Sequence, residues 1–293
     1  MRSVDTPGGR TAPGAADYGT RRGAHRPVQP GAADPGWTRL VFACLVPVIL
    51  AASAPLPVSV RLAVVVILVP LTAQGWPALV RSRHDQRATT VVTLTGLAAA
   101  LAVALRHDFG AAGLVMAFSL LGSFVAQMTR HDGREDLVED LSATVTGNLV
   151  VVSGAGWCAL TPGTADPAVI VPGAIALLTG ALLTTLELRA TVLEALTVAV
   201  PALVAASVGA LLARIGFFGA AHTGTVAALQ SAGACLLVGL VAGVLMAAAN
   251  RVLWTHRWVP GGRAAIASAM VPILALGAPV YAIARLMGGF VAG

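Results

Sequence analysis

Marked for hydrophobic and polar positions, the chain falls into a polar beginning rich in glycine and proline, then a succession of long apolar segments separated by short polar breaks. The hydrocarbon core of a bilayer is about 30 Å thick and takes about 20 helical residues to cross. By that measure the pattern predicts helices over 38–54, 58–76, 88–105, 111–128, 141–160, 168–186, 194–213, 225–250 and 264–287. The fold class expected is therefore all-α, a polytopic transmembrane bundle of about nine helices. Short connectors make neighbouring helices antiparallel. Pro201, Pro272 and Pro279 fall inside predicted helices and should bend them. Residues 1–37 show no apolar periodicity and cannot bury enough surface to offset their chain entropy, so a disordered cytoplasmic tail is expected, followed by a transmembrane domain over 38–293. Leu40 to Leu50 with Ala52-Ser53-Ala54 imitates a signal-peptide core and cleavage site, but Pro55 directly follows it, and a retained first helix is the expectation.

Composition sharpens this picture in one respect and charge in another. With 57% hydrophobic and 11% charged residues and a mean hydropathy of +0.82, an ordinary soluble domain is excluded. All nineteen basic residues are arginine, a bias that with the abundant alanine, glycine and valine points to a GC-rich bacterial coding sequence. The net charge of +6 is not a nucleic-acid signal, because the arginines flank apolar segments. With the tail inside, Arg39, Arg81, Arg83, Arg87, Arg130, Arg134, Arg189, Arg251, Arg257 and Arg263 share one face with the tail arginines. Arg61, Arg106, Arg214 and Arg285 share the other. The excess predicts a multi-pass plasma-membrane protein with a cytoplasmic N-terminus and an extracytoplasmic C-terminus. Trp37, Trp76, Trp157, Trp254 and Trp258 fall near predicted helix ends, where indole suits the headgroup layer. Cys44, Cys158 and Cys235 sit far apart in apolar runs and read as inert buried thiols. Gly239 and Gly243 form a small-residue face suited to close packing inside the bundle.

Candidate chemistry centres on the break at 130–140, which holds Asp132, Glu135, Asp136, Glu139 and Asp140, five of the thirteen acids. On a helix Asp132, Asp136 and Asp140 recur every fourth residue and Glu135 and Glu139 form a neighbouring row. Such rows can hold Mg²⁺ and through it a diphosphate. The spacing Asp132-x-x-Glu135-x-x-x-Glu139 resembles the first acidic motif of membrane prenyltransferases, with His131 in place of the preceding asparagine and no second acidic motif. The simpler reading is a solvated turn whose acids favour the start of the next helix. Arg-His-Asp recurs at 83–85, 106–108 and 130–132, and His84, Asp85, His131 and Asp132 would share a face where a divalent metal is conceivable. Glu187, Arg189 and Glu194 form a second polar cluster, for which pairing of Arg189 with a glutamate is the cheap explanation. Asn148 and Gln230 read as interhelical hydrogen-bond partners. No nucleophile elbow, phosphate loop or paired CxxC motif is present, so no catalytic residue and no metal ligand is assigned.

From 141 to 285 the chain resembles the phosphatidate cytidylyltransferases (CDP-diacylglycerol synthases). The likeness rests on the helix Ser142 to Leu160, on Thr191-Val-Leu-Glu194-Ala-Leu and on Leu276-Gly-Ala-Pro-Val-Tyr281. It implies a membrane fold working on lipid, with the family's two metal-binding aspartates falling on Ala269 and Pro272, and its glycine-aspartate pair on a run ending at Asn250. The catalytic residues are thus not retained. The function expected is a non-catalytic membrane component, associated with membrane lipids or a membrane-protein partner and not with nucleic acid. An Mg-dependent enzyme on a lipid or nucleotide-lipid substrate at the cytoplasmic leaflet is the alternative. A secondary transporter is third, disfavoured by the few ionisable groups in mid-membrane.

Overall fold

Capping chemistry fixes where the bundle begins. Asp34 accepts a hydrogen bond from the Gly36 amide at 3.0 Å and caps α1 (Pro35–Ser53), with Pro35 in the first turn, where its missing N–H costs nothing. Helix formation therefore starts at 35 rather than 38. The computed structural model describes residues 34–80, 85–128, 137–162, 165–218, 224–255 and 261–291. The expected tail up to 33 lies outside them.

After α1 come α2 (Val58–Val80), α3 (Asp85–Arg106), α4 (Gly110–Met128), α5 (Leu137–Gly154), the single turn α6 (Gly156–Ala159) and α7 (Ile170–Leu183), which a 3-10 turn over Pro167–Val169 leads in. Then follow α8 (Ala190–Arg214), α9 (Thr225–Ala249), a π-helical turn over Asn250–Thr255, α10 (Gly261–Ala275) and α11 (Gly277–Val291). Among the described residues there is no strand. Among the described residues eight segments are long and apolar enough to cross a membrane, and the shorter Pro167–Leu183 matches the sixth of the nine expected helices. The architecture is a multi-pass, all-α membrane bundle.

Hydrogen bonds between helices show the alternation of direction. Arg39 on the first turns of α1 reaches Asn250 at the end of α9, Trp76 near the end of α2 donates to the Ala143 carbonyl at the start of α5, and Arg251 meets Glu194 at the start of α8. These define one end of the bundle, the proximal end. Arg61 and the Leu160 carbonyl meet at the other, distal end.

Lipid tails are as apolar as leucine, so helices in a bilayer associate through close packing and polar contacts rather than through the hydrophobic effect. The most extensive pair here, α8 with α9, is built that way. Gly239 lies on the Pro201 carbonyl and Ala205, and Gly243 on the backbone of Thr197 and Val198. The small-residue face predicted in α9 is thus an internal seam.

Two predicted helices are broken, and the breaks meet. Pro279 has no N–H for the Ala275 carbonyl, and the chain turns at Leu276 between α10 and α11. Ser153 Oγ donates to that carbonyl at 2.7 Å, and Trp157 Nε1 donates to the Ile273 carbonyl at 3.0 Å. The fifth helix breaks beside them at Ala155, where Gly156 lies against the Gly277 backbone. Trp157 is consequently fully buried instead of sitting in a headgroup layer, because its indole N–H satisfies a backbone group. Pro201, by contrast, lies within the unbroken α8.

Candidate functional site

The proximal end collects most of the polar groups singled out from the sequence, but not in the arrangement expected of them. Asp132, Glu135 and Asp136 lie outside the described residues, as do His84, His131 and the Asp85 side chain. Glu139 and Asp140 occupy the first turn of α5, where negative charge suits the helix dipole. Their surroundings differ: Glu139 is exposed, whereas Asp140 is buried. The middle Arg-His-Asp copy, Arg106 to Asp108, sits exposed at the distal end, with His107 in a left-handed conformation at φ 53°. Among the described residues no group of three or more His, Cys, Asp or Glu side chains is placed to hold a metal ion.

The second cluster separates. Glu187 and Arg189 are exposed in the connector before α8. Glu194 pairs with Arg251 rather than with Arg189, Nη1 lying 3.1 Å and 3.2 Å from its two carboxylate oxygens. The reason is positional: Glu194 stands one turn inside α8, beside the π-helical turn that carries Arg251, while Arg189 precedes the helix. Both partners are solvent-facing, and such a pair contributes about 0–1 kcal/mol.

What the structure does gather at this end is a cavity of about 250 Å³ between α1, α7, α9 and α10. Ala43, Ala181, Ala269 and Pro272 form its apolar walls, and Arg39, Asp34, Trp37, Thr184 and Ser268 bring polar groups to it. Arg39 and Ser268 are buried, while Asp34 and Trp37 are exposed at its mouth. Arg39 Nη1 donates to Asn250 Oδ1 at 3.1 Å, so the first residue of the π-helical turn orients the guanidinium. Ser268 donates to the Ala265 carbonyl and Thr184 to the Ala181 carbonyl, each at 2.7 Å, which leaves hydroxyl lone pairs for the cavity. π-Helical turns recur at functional sites, and this one is joined to the cavity wall through the bond from Arg39 to Asn250.

A second polar feature runs between α4 and α5. Ser119, Ser123 and Gln127 recur every fourth residue on α4, and Asp140, Thr144 and Asn148 do so on α5; all six are buried. Asn148 Nδ2 donates to Ser123 Oγ at 3.1 Å, as expected of an interhelical partner, while its Oδ1 has no partner among the described residues. Gln230 is exposed on α9, and no hydrogen bond is described for it. Its position on an outward face, which an evenly apolar helix does not reveal, is the reason. The three cysteines are unpaired by disulfides, with Cys158 and Cys235 buried and Cys44 half-buried.

The sequence reading used Arg39 only as an orientation marker and passed over Thr184 and Ser268. One signal was legible: Asp34-Pro35-Gly36 is a helix start, and it places Arg39 a full turn inside the first helix rather than at its second residue. No family model matches this chain, and neither a curated protein nor a solved structure matches it.

Proposed function

We propose that this chain is a multi-pass plasma-membrane component that binds a membrane lipid at its cytoplasmic end without chemical turnover. The cavity beside Arg39 carries this reading. It combines apolar walls, a buried cation and a mouth flanked by tryptophan, which suits the polar end of an amphiphile. The arginine bias makes the proximal end cytoplasmic. Ala269 and Pro272, the positions that the resemblance to phosphatidate cytidylyltransferases gives to metal-binding aspartates, are two of the cavity's apolar wall residues. They offer no donor to a divalent cation, so no step through Mg²⁺ is derived.

An enzyme remains the second reading because Asp140 is a buried carboxylate at the same end. Transport is less favoured. The broken helices meet, but Ser153 and Trp157 occupy two of the carbonyls that an ion would seek there. The deciding experiment has two parts. Protein purified in a mild detergent should retain lipid through extensive washing, and Ala269→Leu, which fills the cavity, should deplete it. Incubated with CTP, phosphatidate and Mg²⁺, the protein should form no CDP-diacylglycerol. A wild-type protein free of lipid, or turnover at an ordinary enzymatic rate, would sink the reading.

A further inference from the structure

We infer that α4 and α5 share a binding site for a monovalent cation at the middle of the membrane, built from the side-chain oxygens of Asn148, Ser119, Ser123 and Thr144. The inference is independent of the lipid-binding reading and uses a different part of the bundle.

The site starts from an acceptor that no protein group serves. Asn148 is 0% exposed and stands eleven residues from either end of the Leu137–Ala159 span. Its Nδ2 donates to Ser123 Oγ at 3.1 Å, and its Oδ1 is buried without a hydrogen-bond partner. An orphaned oxygen at that depth is unfavourable, because bulk water does not reach it. Polar groups held there are candidates for function, and cation sites in membrane bundles lie near the midplane.

The neighbouring hydroxyls turn their protons away. Ser119 Oγ donates to the Met116 carbonyl at 2.7 Å, Ser123 Oγ to the Ser119 carbonyl at 2.7 Å and Thr144 Oγ1 to the Asp140 carbonyl at 2.8 Å. Each bond stays within its own helix and leaves the hydroxyl oxygen as an acceptor. All three residues are buried, and Ser119 and Thr144 lie one turn, roughly 6 Å, along their helices from the Ser123–Asn148 contact. The result is a set of buried oxygens with lone pairs to offer and their hydroxyl protons already engaged. Neutral oxygens of this kind replace part of the hydration shell of an alkali cation, with water completing it. They do not suit a divalent ion, which is held by carboxylates.

Gln127 and Asp140 continue the two rows toward the proximal end, engaged in contacts of their own, and give the cation a polar approach from that side. Occupancy ties α4 to α5. That tie matters because α4 turns Leu114, Phe118, Leu121, Phe124 and Val125 to the lipid and packs on few sides.

The test uses the full chain purified in a neutral maltoside detergent in choline chloride, with thermal unfolding as the readout. Replacing choline by sodium or potassium at constant ionic strength and pH should raise Tm by about 3 °C or more, with saturation. Magnesium chloride at the same ionic strength should give no comparable rise. Asn148→Leu removes the orphaned acceptor and should abolish the response. Ser119→Ala and Thr144→Val keep the Asn148–Ser123 bond and should raise the half-saturating concentration by about threefold or more. They decide the matter if Asn148→Leu does not fold. The response should survive in Ala269→Leu, so the failure of one reading leaves the other standing. A Tm indifferent to both alkali cations would overturn the inference and give Oδ1 to a buried water. A response undiminished in Asn148→Leu, or in both Ser119→Ala and Thr144→Val, would overturn it by placing the cation elsewhere. Magnesium matching the alkali cations would overturn the monovalent assignment.

Discussion

A guanidinium inside an apolar bundle must be met by acceptors, and Arg61 is met by the ends of two helices rather than by an acid. It is only 2% exposed. Nη1 donates to the carbonyls of Ser53, Ala54 and Leu56, and Nη2 to that of Leu160 at 2.7 Å. These carbonyls lie where α1 and α6 end; that of Ser53 also accepts the Leu56 amide at 3.1 Å, and a cation there also complements the helix dipoles. From the sequence Arg61 looked like a charge at a helix–water boundary; its burial follows from the α1–α2 turn folding against Leu160. Arg61→Met should remove the guanidinium donor from the carbonyls of Ala54, Leu56 and Leu160 and cost about 2–4 kcal/mol, read as a Tm lower by about 5 °C or more in detergent. Arg61→Lys keeps the charge but not the fork and should fall between. An unchanged Tm for Arg61→Met would show that water or another donor serves these groups. Asn148 was more legible, because an amide in the middle of an apolar segment needs a partner wherever it points, and Ser123 supplies one.

At the scale of elements, glycines decide which helices can approach. A Cβ at Gly156 would overlap the Gly277 carbonyl, and one at Gly277 the Ser153 carbonyl, so the crossing of the broken helices requires glycine on both sides. On α4 the situation is opposite: Cβ atoms at Gly113 and Gly122 would meet nothing within 4 Å. Gly156→Ala should therefore lower Tm by several degrees, since backbone on backbone cannot yield without moving a helix. Gly113→Ala and Gly122→Ala should be neutral or stabilise by up to about 1 kcal/mol, because alanine is the better helix former. If all three variants behave alike, the crossing is not as close as described. Proline marked one of these breaks in advance, since Pro279 removes a donor wherever the helix lies. The break at Ala155 carries no such mark. It became visible only with Gly277 against Gly156.

For the whole molecule the testable statement is which end faces the cytoplasm. Arg39, Arg87, Arg189, Arg251 and Arg263 belong to helix ends and connectors of the proximal end, and Arg61, Arg106, Arg214 and Arg285 to distal segments. If the proximal end is cytoplasmic, Arg134→Cys should be shielded from a membrane-impermeant thiol reagent in intact cells and Asp108→Cys should react. The reverse pattern would invert the orientation. The native cysteines give little background, since none is fully exposed.

The sequence alone determined the number, type and rough limits of the helices. In hydrocarbon every backbone N–H and C=O must be satisfied within the segment, so an apolar run of sufficient length has no alternative to the helix. It did not determine which faces meet. These helices are apolar nearly all round, so periodicity does not separate an inward from a lipid-facing side, and Gln230 and Asn148 looked equivalent until one proved exposed and the other buried. The cavity beside Arg39, the choice of Arg251 by Glu194 and the meeting of the two breaks all depend on side chains drawn from helices far apart in the chain. Only the packed bundle brings them together, and it does so through small residues and single hydrogen bonds whose partners no local pattern specifies.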